Sequence, residues 1–341
     1  MPTISSDTES IDWEVKKYSR LGALIVCILS LLVIVGWITN ISLLKSILPG
    51  FQAMNPLAAI SFILLSFSLV ARTHYFFSEN KKNFLAFILS LSVILIGIVT
   101  IVGYSFNLNL GWDQVFFANS LSGNRIAPNT ALNFILLGIS LITLQSKSKN
   151  LFRISQFCVL LAGLVTILAM VGYLYNALSL YDFSQLFPMS LNSALAFSFL
   201  CASILLSTPS NSVVRIFIGN SKSNALARYL FGFVLFFPIF VGYFIILGKQ
   251  AEIYSFETGI ALTVVISMII LTTFVWWYTK LLRQDEEIKE RNTQILSDRT
   301  IELEETQKIL NRKVLELVSA KEEIRRLLNH ENNLKEIVGN E

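Results

Sequence analysis

Four glycine–aromatic pairs punctuate this chain at nearly constant intervals: Gly36-Trp37, Gly103-Tyr104, Gly172-Tyr173 and Gly242-Tyr243, with 67, 69 and 70 residues between successive aromatics. Each pair closes one apolar run. After a polar interval a second run opens on a matching mark. The marks are Met54-Asn55-Pro56-Leu57-Ala58-Ala59-Ile60-Ser61-Phe62, Ile126-Ala127-Pro128-Asn129-Thr130-Ala131-Leu132-Asn133-Phe134, Met189-Ser190-Leu191-Asn192-Ser193-Ala194-Leu195-Ala196-Phe197 and Tyr254-Ser255-Phe256-Glu257-Thr258-Gly259-Ile260-Ala261-Leu262. A period of this kind is the signature of a duplicated unit. Two apolar runs per unit give every unit the same orientation in a bilayer. The repeats are therefore parallel, about an axis along the membrane normal.

The runs are continuous rather than alternating, and only 15% of the chain is charged, where a soluble domain carries about 25%. Backbone groups in hydrocarbon must be satisfied internally, so the runs are helices. The expected fold is an all-α integral membrane protein. About eight transmembrane helices lie near 21–42, 55–71, 84–106, 129–145, 154–176, 190–208, 229–248 and 257–280, built from four two-helix parallel repeats. Residues 1–20 read as a short polar tail, 21–280 as the membrane domain and 281–341 as a coiled-coil linker. The first run reads as an uncleaved anchor.

Nine Lys and Arg residues fall in loops after even-numbered spans: Arg72, Lys81, Lys82, Lys147, Lys149, Arg153, Arg215, Lys222 and Arg228. Three fall after odd ones: Lys45, Arg125 and Lys249. That asymmetry puts both termini in the cytoplasm. These basic residues mark topology, so nucleic acid is not an expected partner; the lipid bilayer is. Cys27, Cys158 and Cys201 lie inside apolar runs and read as small hydrophobes. There is no Cys/His metal spacing, and no metal or other cofactor is expected.

From 281 onward the composition changes, with 11 basic and 14 acidic residues and no proline. Ile288 and Ile295 are seven apart; Leu303, Leu310, Leu317 and Ile324 continue at the same period after one step of eight. This is a heptad seam with one register slip. Fully helical, residues 282–338 would extend roughly 85 Å at 1.5 Å per residue. A parallel homodimer through 281–341 is expected.

The spans carry almost no charge, which argues against a proton-coupled pump. Glu257 and the Asn129 and Asn192 marks stand at one repeat position near helix starts. They read as capping and packing residues or as polar groups of an outer ligand pocket. Trp37, Tyr104, Tyr173 and Tyr243 read as interfacial anchors or as pocket walls. Loop segments around Ile47–Phe51 and Trp112–Phe117 are apolar enough to lie in the interface.

The strings Leu44-Lys45-Ser46-Ile47-Leu48-Pro49-Gly50-Phe51, Pro128-Asn129-Thr130-Ala131-Leu132-Asn133-Phe134 and Val171-Gly172-Tyr173-Leu174-Tyr175, with Phe274-Val275-Trp276-Trp277-Tyr278, resemble the amino-terminal multi-span (MASE-like) sensor region of bacterial histidine kinases and diguanylate cyclases. Residues 298–304 resemble the linkers that follow such sensors. The resemblance implies signal transduction in a bacterial inner membrane, homodimerisation, and a cytoplasmic kinase or cyclase output protein. This chain departs from the kinase pattern: His330-Glu331 is followed by Asn332-Asn333-Leu334 without proline, and no Gly-Gly-Asp/Glu-Glu-Phe signature occurs. No catalytic residue is assigned; His74 and His330 read as ordinary surface residues. The expected role is a sensory module. A carrier for a small neutral or amphipathic solute, or a non-catalytic scaffold, is the alternative.

Overall fold

The computed structural model describes residues 3–48, 50–73, 79–106, 108, 111–117, 121, 123–144, 146, 148–175, 188–208, 214, 217 and 222–338. Nine α-helices follow one another among them: α1 (Thr3–Thr39), α2 (Ser42–Lys45), α3 (Pro56–Thr73), α4 (Glu79–Ser105), α5 (Pro128–Thr143), α6 (Lys149–Leu174), α7 (Leu191–Leu206), α8 (Lys222–Gln250) and α9 (Phe256–Val338). No strand occurs among the described residues. Six helices (α1, α3, α4, α6, α8 and α9) hold a stretch long and apolar enough to cross a bilayer. α5 and α7 are as apolar but have 16 residues each. That is about 24 Å of helix, against about 30 Å of hydrocarbon.

The helix starts sit on the repeat marks. α3, α5, α7 and α9 begin at Pro56, Pro128, Leu191 and Phe256, the third residue of each mark. Asn129 and Asn192 are second helical residues rather than caps. The caps fall two positions earlier: in α5 proline fixes its own φ as a first helical residue and drives its predecessor extended, and in α7 Ser190 takes the same extended geometry (φ −66°, ψ 150°) and caps through its hydroxyl. Asn55 Oδ1 accepts from Leu57 N at 2.8 Å and Ser190 Oγ from Ser193 N at 3.2 Å. Ala127 holds the same extended geometry (φ −64°, ψ 145°) with no side-chain cap. At the other end of the expectation, α1 starts at Thr3, so the polar tail continues the first helix.

The chain forms two compact units, residues 1–267 and 268–341. In the first, six helices close a ring. α1 packs against α3 and α7, α4 against α3 and α5, and α6 against α5 and α7. The three inner helices α3, α5 and α7 touch one another. At their meeting point stand Phe62, Phe134 and Phe197, the last residue of each of the first three marks, all fully buried. Their ring centroids lie 4.5–5.2 Å apart at tilted to edge-on angles, the arrangement that aromatic quadrupoles favour. Leu262 at the equivalent place in α9 is 39% exposed.

Polar latches hold both ends of the ring. At one end the aromatic of each glycine–aromatic pair reaches a carbonyl just before the next inner helix. Trp37 Nε1 donates to Met54 O (2.8 Å), Tyr104 Oη to Ile126 O (3.0 Å) and Tyr173 Oη to Met189 O (2.5 Å). At the other end serines six residues beyond the phenylalanines close the seams between units. Ser68 Oγ meets Ser90 Oγ at 2.8 Å, and Ser140 Oγ meets Ser155 Oγ at 2.9 Å. Ser19 Oγ donates to Ser203 O at 2.6 Å, joining the first helix to the last of the ring. Small residues permit these approaches: a Cβ on Gly97 would stand 2.7 Å from Ala131 O, so α4 and α5 meet backbone to backbone there.

With α1 seated on α7 the ring is complete after three units, and α8 lies outside it. Tyr175, just after α6, donates its Oη to Ile239 O of α8 at 2.8 Å, and Gly242 leaves the space its ring occupies. The second unit is a continuation of α9. Ile295, Leu303, Leu310, Leu317 and Ile324 are all exposed along it. Arg299 and Glu302 pair at 2.9 Å on its surface.

Candidate functional site

The aromatic end of the ring carries the connections between outer and inner helices, and its polar groups are tied to one another across units. Asn55 is the hub. Besides capping α3, its Nδ2 donates to Asp113 O (3.0 Å) and Asn124 O (3.2 Å) in the α4–α5 connection. Asn124 Nδ2 returns a bond to Ala53 O at 2.8 Å. Asp113, buried in a 3₁₀ turn (Trp112–Gln114), accepts from Ile126 N at 3.1 Å and lies 3.5 Å from Arg125 Nε. The Arg125 guanidinium stacks over Tyr104, 4.6 Å from the ring centre. A carboxylate with a backbone donor and a cation beside it is a satisfied buried group.

The residues singled out from sequence are spread around this end. Trp37, Tyr104 and Tyr173 are the three latches. Phe51 packs on Tyr173 and Phe117 on Trp37, with centroids 5.1 and 6.4 Å apart. Those two loop aromatics fold onto the bundle. Leu48 and Phe116 remain exposed. Tyr243 is half-exposed and lies edge-on to Phe244. Asn129 is buried, its Oδ1 accepting from Thr130 N at 2.9 Å. Glu257 is exposed on the first turn of α9, where Ser255 Oγ caps Thr258 N at 3.4 Å. The loop segment 182–187, whose sequence resembles Asp113–Phe116, and His74 lie outside the described residues, as does the side chain of His330.

Asn192 does the most among them. Its Oδ1 accepts from Ile47 N (3.1 Å) and its Nδ2 donates to Lys45 O (3.2 Å), so one amide of α7 holds the segment after α2. Lys45 Nζ in turn bonds Asn40 Oδ1 at 2.5 Å and lies over Trp37, 4.3 Å from the ring centre. Beneath this bridge is a cavity of about 110 Å³ between α1 and α7. Leu29, Ser30, Val33, Met54, Leu195 and Ala196 are among its walls. Leu32, Leu43 and Ile47, also in its lining, are exposed, so its mouth faces sideways off the bundle. Replacing Asn192 by alanine removes both bonds. Amide exchange at Ile47 is then expected to accelerate about fivefold, the kinetic equivalent of about 1 kcal/mol. Asn192→Asp keeps the acceptor for Ile47 N and should preserve that protection.

Sequence reading overlooked Asn55, Asp113, Asn124, Arg125, Tyr175 and Ser30. Asn55 and Arg125 stand within or beside the repeat marks. Their partners lie 58 and 69 residues away for Asn55 and 12 for Arg125, so spacing alone could not pair them. The serine seams had a legible signal: Ser68, Ser140 and Ser203 each follow their phenylalanine by six residues. No protein-family model, no curated protein and no solved structure matches this chain.

Proposed function

We propose that this chain is a membrane sensory module that passes a periplasmic or in-membrane stimulus to a cytoplasmic histidine kinase or cyclase output domain. In this reading the chain crosses the bilayer eight times as four parallel two-helix repeats. The aromatic end faces outward and both termini are cytoplasmic. The three-unit ring is the receiving body, and the fourth unit is the transmitter. The observation that carries the reading is α9 itself. One helix runs from an apolar stretch at Phe256 to Val338, and its heptad residues are exposed in the single chain. An apolar seam at that spacing is satisfied by a second copy in parallel. The register slip between Ile295 and Leu303 supplies two packings of the coil, the bistable element a switch needs. Tyr175 gives the receiving ring a hold on the transmitting pair through α8.

The carrier reading has less support. An axial path would run between α3, α5 and α7, and three fully buried phenylalanines fill that place. The test is a fusion of the chain to a kinase output domain, with one to four residues inserted between 296 and 302. Each insertion turns the following helix by about 100°. Output is expected to rise and fall with helical phase, returning near its starting level after three or four residues. An output indifferent to insertion length overturns the proposal.

A further inference from the structure

We infer that the cavity between α1 and α7 is a binding site for a single-chain neutral amphiphile, which enters sideways from the bilayer with its small polar head leading. The first observation is an unmet hydrogen bond. Ser30 is fully buried, lines the cavity, and its hydroxyl has no partner among the described residues. Serines in helices ordinarily bond the carbonyl one turn back. Ser61 does so to Leu57 O at 2.9 Å and Ser92 to Ile88 O at 2.9 Å. Ser30 does not, and a buried hydroxyl left alone is costly. A hydroxyl or carbonyl on the ligand would complete it.

Size and surroundings set the rest of the chemistry. About 110 Å³ is less than the roughly 150 Å³ that holds a benzene ring in an engineered apolar cavity. The site therefore takes a head of a few heavy atoms. No charged residue lines it among the described residues, so the head it suits is neutral. Exposed Leu32, Leu43 and Ile47 at the mouth offer an apolar path for a tail that stays in the acyl-chain region. Asn192 is a positioning residue here: both ends of its amide are engaged by backbone, and it fixes the rim. This site is independent of the signalling reading, and its occupancy is measurable without an output domain.

The test uses the purified full chain in lipid nanodiscs and a diazirine-bearing octanol as photoprobe. Labelling is expected to saturate, to map to 29–33, 43–47 and 192–196, and to be displaced by octanol. Ala196→Phe fills the cavity and should lower that labelling at least tenfold. Leu32→Trp obstructs the mouth from an exposed position and should do the same if the first variant fails to fold. Ser30→Val should weaken displacement by octanol about tenfold and leave displacement by octane unchanged. Labelling that does not saturate and spreads over exposed faces such as Phe236 and Phe240 overturns the proposal. So does labelling that survives both blocking variants. Equal loss of octanol and octane displacement in Ser30→Val overturns the head-first mode.

Discussion

Phe134→Ala is expected to destabilise the ring by about 2 kcal/mol, while Leu262→Ala, at the same repeat position in the fourth unit, costs under about 0.5 kcal/mol. In a water-soluble core the phenylalanine truncation costs about 3–5 kcal/mol, part of it transfer to water and part the cavity left behind. Unfolded helices in lipid keep their side chains in hydrocarbon, so the transfer part largely falls away. The cavity part remains: Phe134 is fully buried against the rings of Phe62 on α3 and Phe197 on α7. Leu262 is 39% exposed and has little to lose. Reversible unfolding in mixed micelles by added SDS measures both. Equal costs at the two positions would mean that the fourth unit packs into the centre as the other three do, and the three-unit ring would be wrong.

Asn55→Ala should cost about 3 kcal/mol, the largest effect of any polar substitution in the first unit. Its amide performs two jobs. The Oδ1 caps α3, worth about 0.5–2 kcal/mol, and the Nδ2 satisfies two carbonyls of the α4–α5 connection at about 0.5–1.5 kcal/mol each. Asn55→Ser separates them, since a serine caps but cannot reach both carbonyls, and about half the stability should return. Asn55→Asp also caps, yet it turns a carboxylate toward Asp113 O and Asn124 O and should be no better than alanine. The same unfolding assay reads all three. Indistinguishable serine and alanine variants would show that the cap contributes nothing and that the cross-unit bonds carry the whole effect.

The first three glycine–aromatic pairs and the proline-led marks were legible as helix ends because local chemistry fixes them, whereas Gly242-Tyr243 lies inside α8, which runs on to Gln250. A proline is best tolerated at the first position of its helix, and an aromatic with a polar tip settles where a carbonyl or water is within reach. Hence the helix starts at Pro56 and Pro128 agree with the sequence to within a residue or two. The purpose of the asparagines was not legible. Asn129 and Asn192 share a repeat position, but one bonds its own helix and the other a segment about 145 residues distant. A side chain's partner across the bundle depends on which helices become neighbours, and one chain's spacing does not state that.

Helical segments, their apolar lengths and the charged heptad tail follow from sequence alone, because hydrocarbon leaves the backbone no alternative to internal hydrogen bonds and because heptad spacing is a one-dimensional property. Closure after three units was decided only in three dimensions. Ser19 of α1 takes the seam on Ser203 that α8 would otherwise occupy, and three phenylalanine rings fill the space where the inner helices meet. Four units can look alike in sequence, but once these volumes and one hydroxyl seam are satisfied by three, the fourth is left outside.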